Sequence, residues 1–436
     1  MKDIKWTPKL AQSLHKVYQI GTVLLRDVEI STEELSALIK LAEDKSPDVK
    51  VATFWAKTVI RSVLGLMDGL SFAMRRAVLE NAKQVGLPIT TKERARLQER
   101  RYDPKTDSVL TTPQNLSPAE SFKLAFKLFP RLFGSNFTLD TGGEDWLAVR
   151  RIIDIRNRFT HPKVLEHLAV HPALPALSPA SVWLYTQTAE LLAEVSRRLG
   201  GSPKTIPSSS SPPKYRESEA LWPTIFSAED YERIEAYGGR TLEYFKTMFF
   251  MLKDETGLAI DLCKGSFDSL AILGGPKSQF AWRAFTRTLF SDVEGQTSAA
   301  RFFIEAAVKR GKVQLSEEDV SVLDGGEVED QLVAAVNLWS REFGNGVAIV
   351  KAGEPWKHFR GARFFRDRIT HPRELDSIKV DLKLTTTLLE AYGFFLSTSD
   401  AIHLDPETWV AKAGGLEEVV AEEERQPTSQ EEEIEE

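Results

Sequence analysis

The chain repeats itself, and this constrains its fold more than any other feature. Residues 120–172 align without a gap on residues 330–382, an offset of 210, with 16 identities in 53 positions. Average composition would give about three by chance. The matches include Arg131/Arg341, Phe133/Phe343, Gly134/Gly344, Gly143/Gly353, Glu144/Glu354, Trp146/Trp356 and Arg150/Arg360. The densest group is Arg156, Arg158, Thr160, His161 and Pro162, matched by Arg366, Arg368, Thr370, His371 and Pro372. A second block matches at an offset of 226: Phe54/Phe280, Arg61/Arg287, Gly69/Gly295, Ala73/Ala299, Arg75/Arg301 and Leu97/Leu323. The difference of 16 falls between Leu97 and Glu120, where the first half carries an extra Pro- and Thr-containing loop. Such a pattern reads as a tandem duplication.

Composition then sets the boundaries. Between Gly200 and Lys214 the chain is dense in Gly, Ser and Pro, which supply little apolar surface to bury, so this stretch reads as a linker. The expected organisation is an N-terminal domain over 1–200, a linker over 201–222, a C-terminal domain over 223–412 and an acidic tail over 413–436. From Glu417 to Glu436 there are ten acidic residues and one basic one, Arg425. The net charge of −7 therefore sits in the tail, and the rest of the chain is slightly positive. Tails of this kind are usually solvated and disordered.

Each half reads as helical. Phe54–Lys83, Ser121–Phe133, Glu144–Thr160, Ser181–Leu199, Phe280–Lys309 and Leu382–Ala401 place apolar residues at three- and four-residue spacing. Strand-like alternation is confined to Gly346–Val350. The expected fold class is all-α, with two duplicated helical bundles forming a pseudo-dimer. One cysteine, Cys263, forbids an intrachain disulfide and suits a reducing compartment. No apolar run reaches the roughly 20 residues of a membrane span, and the first residues lack a signal-peptide core. The expected location is the cytoplasm, with no membrane association.

The chemistry-bearing segments are RNRFTHP at 156–162 and RDRITHP at 366–372. Trp146, Val149 and Ile153 share a helical face that anchors the preceding helix in the core. Proline disfavours the α conformation in the residue before it, so the helix should end near Thr160 and release His161 toward Arg156. An imidazole titrates near neutrality and can give or take a proton. A guanidinium offers a planar fork of donors for phosphate oxygens. Asn157 and Asp367 directly follow the arginines and could hold the arginine or histidine in a productive rotamer.

The surroundings are basic. Residues 150–163 contain five Lys/Arg and one acid, and residues 357–373 contain six and one, a footprint suited to a polyanion. Arg158, Arg368, Arg150 and Arg360 are the candidate phosphate contacts outside the centre, though Arg158 and Arg368 could equally form surface ion pairs. Lys92–Lys105 adds a basic run that reads most simply as a solvated helix face with paired charges. Had the motif occurred once, Arg156 could be read as a helix C-cap and His161 as a turn residue. Two copies favour a functional pair. His161, His167 and His171 might suggest a metal, but the second half has Ser377 and Asp381 in the last two places, so no metal or other cofactor is expected. Trp146 and Trp356 read as core anchors, as does Cys263.

Arginine, a polar residue, three further positions and histidine, twice, in helical context: this resembles the signature of the HEPN superfamily. The resemblance could cover 1–200 and 223–412, although about 140 residues precede each motif, more than a minimal domain of that kind. It implies a metal-independent endoribonuclease acting in toxin–antitoxin or anti-phage defence systems. Two motifs would face each other in one composite site, with His161 and His371 as base and acid and Arg156 and Arg366 on the phosphate. The products would be a 2′,3′-cyclic phosphate and a 5′-hydroxyl. The implied partners are an RNA substrate and an inhibitor, antitoxin or sensor protein. The composite site could also form between the two chains of a homodimer. The alternatives are a catalytically silent module of the same fold that binds RNA, a nucleotide or a protein, and a purely structural helical adaptor.

Overall fold

The computed structural model describes residues 6–44, 49–114, 116–162, 168, 174–200, 242–264, 273–309, 313–324, 328–343, 346 and 348–401. The expected linker and acidic tail, His167 and His171 lie outside the described residues. The first half runs α1 (Pro8–Asp44), α2 (Val49–Val85), α3 (Thr91–Leu97), β1 (Arg100–Asp103), β2 (Ser108–Pro113), α4 (Pro118–Leu128), α5 (Glu144–Thr160) and α6 (Leu174–Arg198). The second runs α7 (Leu242–Cys263), α8 (Pro276–Lys309), α9 (Glu317–Asp324), α10 (Val328–Phe343), α11 (Gly353–Thr370) and α12 (Leu382–Ala401). Among the described residues the fold is all-α apart from one antiparallel β-hairpin. No described helix is long and apolar enough to cross a membrane.

Local chemistry sets several of these boundaries. Before α3, the Thr90 hydroxyl accepts from the Glu93 amide at 3.1 Å while Glu93 accepts from the Thr90 amide at 3.1 Å. Ser117 and Glu120 repeat this reciprocal cap before α4, with Pro118 at the first helical position. Each satisfies amides that the first turn would leave without partners. α5 opens with Glu144 and Asp145 in its first turn, where carboxylates favour the positive end of the helix dipole. It ends at His161 (φ −125°, ψ 65°), the residue before Pro162. His371, before Pro372, has nearly the same conformation (φ −123°, ψ 64°) at the end of α11.

Two expectations about strands and the basic run are corrected. Gly346–Val350 forms no strand among its described residues. The strands lie instead within the first half's extra loop, where Tyr102 pairs with Val109 and Asp103 with Ser108. Lys92–Lys105 is therefore helical only up to Leu97 and continues into β1.

Packing joins the two halves. α1 and α2 form one long hairpin and α7 and α8 another, and α2 packs against α8 at the centre. A single hydrophobic cluster includes buried residues of both halves. Trp55 of α2 stacks on Phe280 of α8, ring centroids 6.4 Å apart. Trp146 packs against Trp183 at 5.3 Å and Trp356 against Phe394 at 5.6 Å, so both tryptophans anchor their helices in the core as expected. Cys263 is buried.

The central contact is also ionic. Lys57 of α2 reaches Glu255 of α7 at 2.7 Å, and Arg61 pairs with the same carboxylate. In the opposite direction, Arg283 of α8 reaches Asp27 of α1 at 2.5 Å, and Arg287 reaches it at 3.3 Å. Lys57 and Arg283 are separated by 226 residues, as are Arg61 and Arg287. These side chains are almost fully buried. Burial alone would raise the Glu255 carboxyl above its ordinary value, but Arg61 and Lys57 outweigh it and hold it below.

Candidate functional site

The centre of the molecule contains a cleft of about 510 Å³, counting its open mouth. α2 contributes Arg61, Leu64, Gly65 and Asp68, and α5 contributes Arg156 and Thr160. α8 contributes Arg287, Ser291 and Glu294, and α11 contributes Arg366 and Thr370. Except for Leu64, each first-half residue has its second-half counterpart in the lining: 61 and 287, 65 and 291, 68 and 294, 156 and 366, 160 and 370. Both arginines of the repeated motif thus open onto one space.

Residues 156 and 160 lie one turn apart on α5, as do 366 and 370 on α11, so each Arg/Thr pair shares a helix face. The Arg156 guanidinium donates to Asn157 Oδ1 at 3.2 Å, and that of Arg366 to Asp367 Oδ1 at 3.3 Å. The residue after each arginine thus accepts a hydrogen bond from it. Arg366 has a further partner, the carboxylate of Glu294, at 2.6 Å. Arg156 has no carboxylate partner among the described residues. Thr370 donates to the Arg366 carbonyl at 2.9 Å, whereas the buried Thr160 hydroxyl has no partner among the described residues. Arg61 Nε and Arg287 Nη2, also buried, are likewise without acceptors. Of the four lining arginines, Arg61, Arg287 and Arg366 are already paired with carboxylates, and Asp68 and Glu294 line the same cleft, so Arg156 is the guanidinium there best placed to meet an anion.

The histidines follow directly after the cleft-lining threonines. Each packs on the long helix of the opposite half. His161 Nδ1 is 3.1 Å from the hydroxyl of Ser298 on α8, and the His371 ring sits 5.1 Å from that of Phe72 on α2. Positions 72 and 298 are themselves separated by 226. The prolines do the same. A β-carbon built on Gly69 would lie 3.4 Å from Pro372 Cδ and 2.8 Å from Leu24 Cδ1. One built on Gly295 would lie 3.2 Å from Leu252 Cδ1 and 3.7 Å from Pro162 Cδ. The tight contacts are with Leu24 and Leu252 of each glycine's own half, so glycine here admits the neighbouring long helix, while the opposite proline sits at ordinary contact distance.

Electrostatics tune the two imidazoles alike. Desolvation lowers the His161 pKa below its ordinary value; Glu294 opposes this and Arg156 adds to it. Desolvation lowers that of His371 too, opposed by Asp68, Glu99 and Asp367 and reinforced by Arg366. The Asp68 carboxyl is raised by its own burial, against the pull of Arg156, His371, Arg366 and Arg75. In both, the environment favours the neutral imidazole over the protonated one.

The arrangement brings Arg156 and Arg366 together and sets His161 and His371 against the two helices that form the opposite walls. Arg158, Arg150 and Arg360 are exposed and do not line the cleft. Arg368 donates instead to the Asp376 carbonyl at 2.9 Å. Sequence reasoning missed Asp68 and Glu294, and it singled out Arg61 and Arg287 only as repeat markers. The signal was available: an acid stands immediately before each of the matched glycines, Gly69 and Gly295. Among the described residues, no group of three or more His, Cys, Asp or Glu side chains is arranged to hold a metal ion. Comparison with protein-family models, curated proteins and solved structures gives no match to this chain.

Proposed function

We propose that the chain is a metal-independent endoribonuclease whose two HEPN-like halves form a pseudo-dimer around one composite active site. The observation that carries this reading is the shared cleft: the two motif arginines line one space, and each motif's histidine rests on the other half's long helix.

In the proposed reaction, a scissile phosphate lies between Arg156 and Arg366, whose guanidinium forks neutralise its charge as displacement proceeds. One imidazole takes the proton from the ribose 2′-hydroxyl, and the 2′-oxygen forms a bond to phosphorus. The bond from phosphorus to the 5′-oxygen breaks, and the other imidazole, protonated at the start, supplies the proton to that oxygen. The products carry a 2′,3′-cyclic phosphate and a 5′-hydroxyl. Asn157 and Asp367 orient the arginines. The biological setting suggested by the family resemblance is a toxin or anti-phage defence effector held in check by a separate protein.

Incubation of the purified chain with labelled RNA and with DNA of the same sequence, both in EDTA, tests this reading. The expected result is RNA fragments ending in cyclic phosphate, with DNA intact. Cleavage that requires added metal, or that leaves 5′-phosphates, contradicts it. One observation favours the silent binding module instead: Glu294 already occupies the Arg366 fork. Complete absence of cleavage on any RNA, together with retained RNA affinity, selects that alternative.

A further inference from the structure

The root of the first half's extra hairpin lies on the His371 side of α2. It is fixed to α2 where Arg75 pairs with Glu99 at 2.8 Å immediately before β1. Arg75 is one helical turn beyond Phe72, the residue against the His371 ring, and about 10 Å along the helix from cleft-lining Asp68. Glu99 is close enough to His371 to act on its titration.

The charges of this hairpin are sorted. Its carboxylates are engaged within the arm: Asp103 accepts from the Lys105 amide at 2.9 Å and Thr106 at 2.8 Å, and Asp107 from Tyr102 at 3.0 Å and Thr91 at 3.2 Å. The cations are not. Arg100, Arg101 and Lys105 are exposed and make no ion pair among the described residues. The second half builds this region differently. Arg301, the counterpart of Arg75, donates to the Leu323 carbonyl at 2.8 Å and pairs with Glu305 at 2.6 Å, and the described residues there contain no paired strands. The cationic arm flanks one histidine only.

We infer that the β1–β2 hairpin is a guide for single-stranded RNA, binding through Arg100, Arg101 and Lys105 the phosphates of the strand that leaves the cleft past His371. The inference rests on the nuclease reading for the position of the scissile phosphate, but binding by the arm is measurable without cleavage. Because the arm serves one side only, the substrate is held in one direction. The chemistry is phosphate recognition by unpaired cations and carries no base preference. Charged residues also keep an exposed two-stranded edge from pairing with other chains, and that role alone would leave RNA affinity unaltered.

The test is fluorescence anisotropy of a fluorescein-labelled poly(U) oligonucleotide across a salt series. The protein is the full chain carrying His161→Ala and His371→Ala, so that no probe is consumed. Adding Arg100→Gln, Arg101→Gln and Lys105→Gln should weaken binding by about tenfold or more at physiological salt and flatten the log–log salt slope by about 2. Lys40→Gln, Lys277→Gln and Lys383→Gln in the same background should change both by much less. Circular dichroism melting checks that each variant remains folded. Equal loss in the two triple variants, unaltered binding in the arm variant, or no RNA binding by the parent overturns the inference. If the arm variant loses affinity while the wild-type chain cleaves no RNA in EDTA, the arm stands and the nuclease reading fails. If the wild-type chain cleaves and the arm variant binds normally, the reverse holds.

Discussion

Arg156 and Arg366 occupy matching places on α5 and α11, yet their surroundings differ. Arg366 is gripped by Glu294 at 2.6 Å, whereas among the described residues Arg156 has only the amide oxygen of Asn157 at 3.2 Å. His161 faces the Ser298 hydroxyl, whereas His371 faces the Phe72 ring. The second-half motif is bound into an ionic network; the first-half motif keeps its guanidinium available. The repeat places the same groups twice, and the differing walls can give each copy a different task. The proposed reaction requires one histidine to start neutral and the other protonated; both imidazoles are shifted downward alike, so the difference would have to come from the substrate or from the unequal walls.

The comparison makes its largest demand on the supporting ion pairs, where the halves should behave alike. Asp27 serves Arg283 and Arg287, and Glu255 serves Lys57 and Arg61. Asp27→Ala and Glu255→Ala each strand buried cations and should each cost about 3–5 kcal/mol. Urea unfolding measures both. A large loss in one variant and none in the other would break the equivalence of the two walls.

A smaller effect sharpens the inequality of the two histidines. Glu294 raises the His161 pKa against desolvation, and Asp68 does the same for His371. Removing either negative charge makes the protonated imidazole less favourable, so the affected pKa falls further. The pH profile of kcat/KM should therefore lose one limb position to Glu294→Gln and the other to Asp68→Asn, each moving toward lower pH. Movement of the same limb in both variants, or movement toward higher pH, contradicts the assignment of one carboxylate to each histidine.

Much of this architecture was legible in the residues. The three- and four-residue spacing of apolar side chains marked α2, α5, α8 and α12, and Pro162 and Pro372 marked where α5 and α11 stop. The hairpin was not legible. Its strands are short and largely exposed, so β1 reads Arg-Arg-Tyr-Asp with no buried alternating face to reveal a period of two. Tertiary pairing was also hidden. Helical periodicity shows that α2 and α8 each have a buried face, but not that they pack on one another. Asp68 and Glu294 escaped notice because an Asp matched to a Glu is not an identity; only the cleft shows that they are partners of the motif.

The central claim is that both motifs serve one site within one chain. RNA cleavage rates for the wild type, His161→Ala, His371→Ala and the double variant test it most directly. Each single substitution should lower the rate by about 100-fold or more, and the double should fall little further, because groups that act as a unit are not additive. Folded single variants that each retain near-wild-type or half-wild-type rates would mean that the motifs act separately, and the shared cleft would not be the catalytic centre.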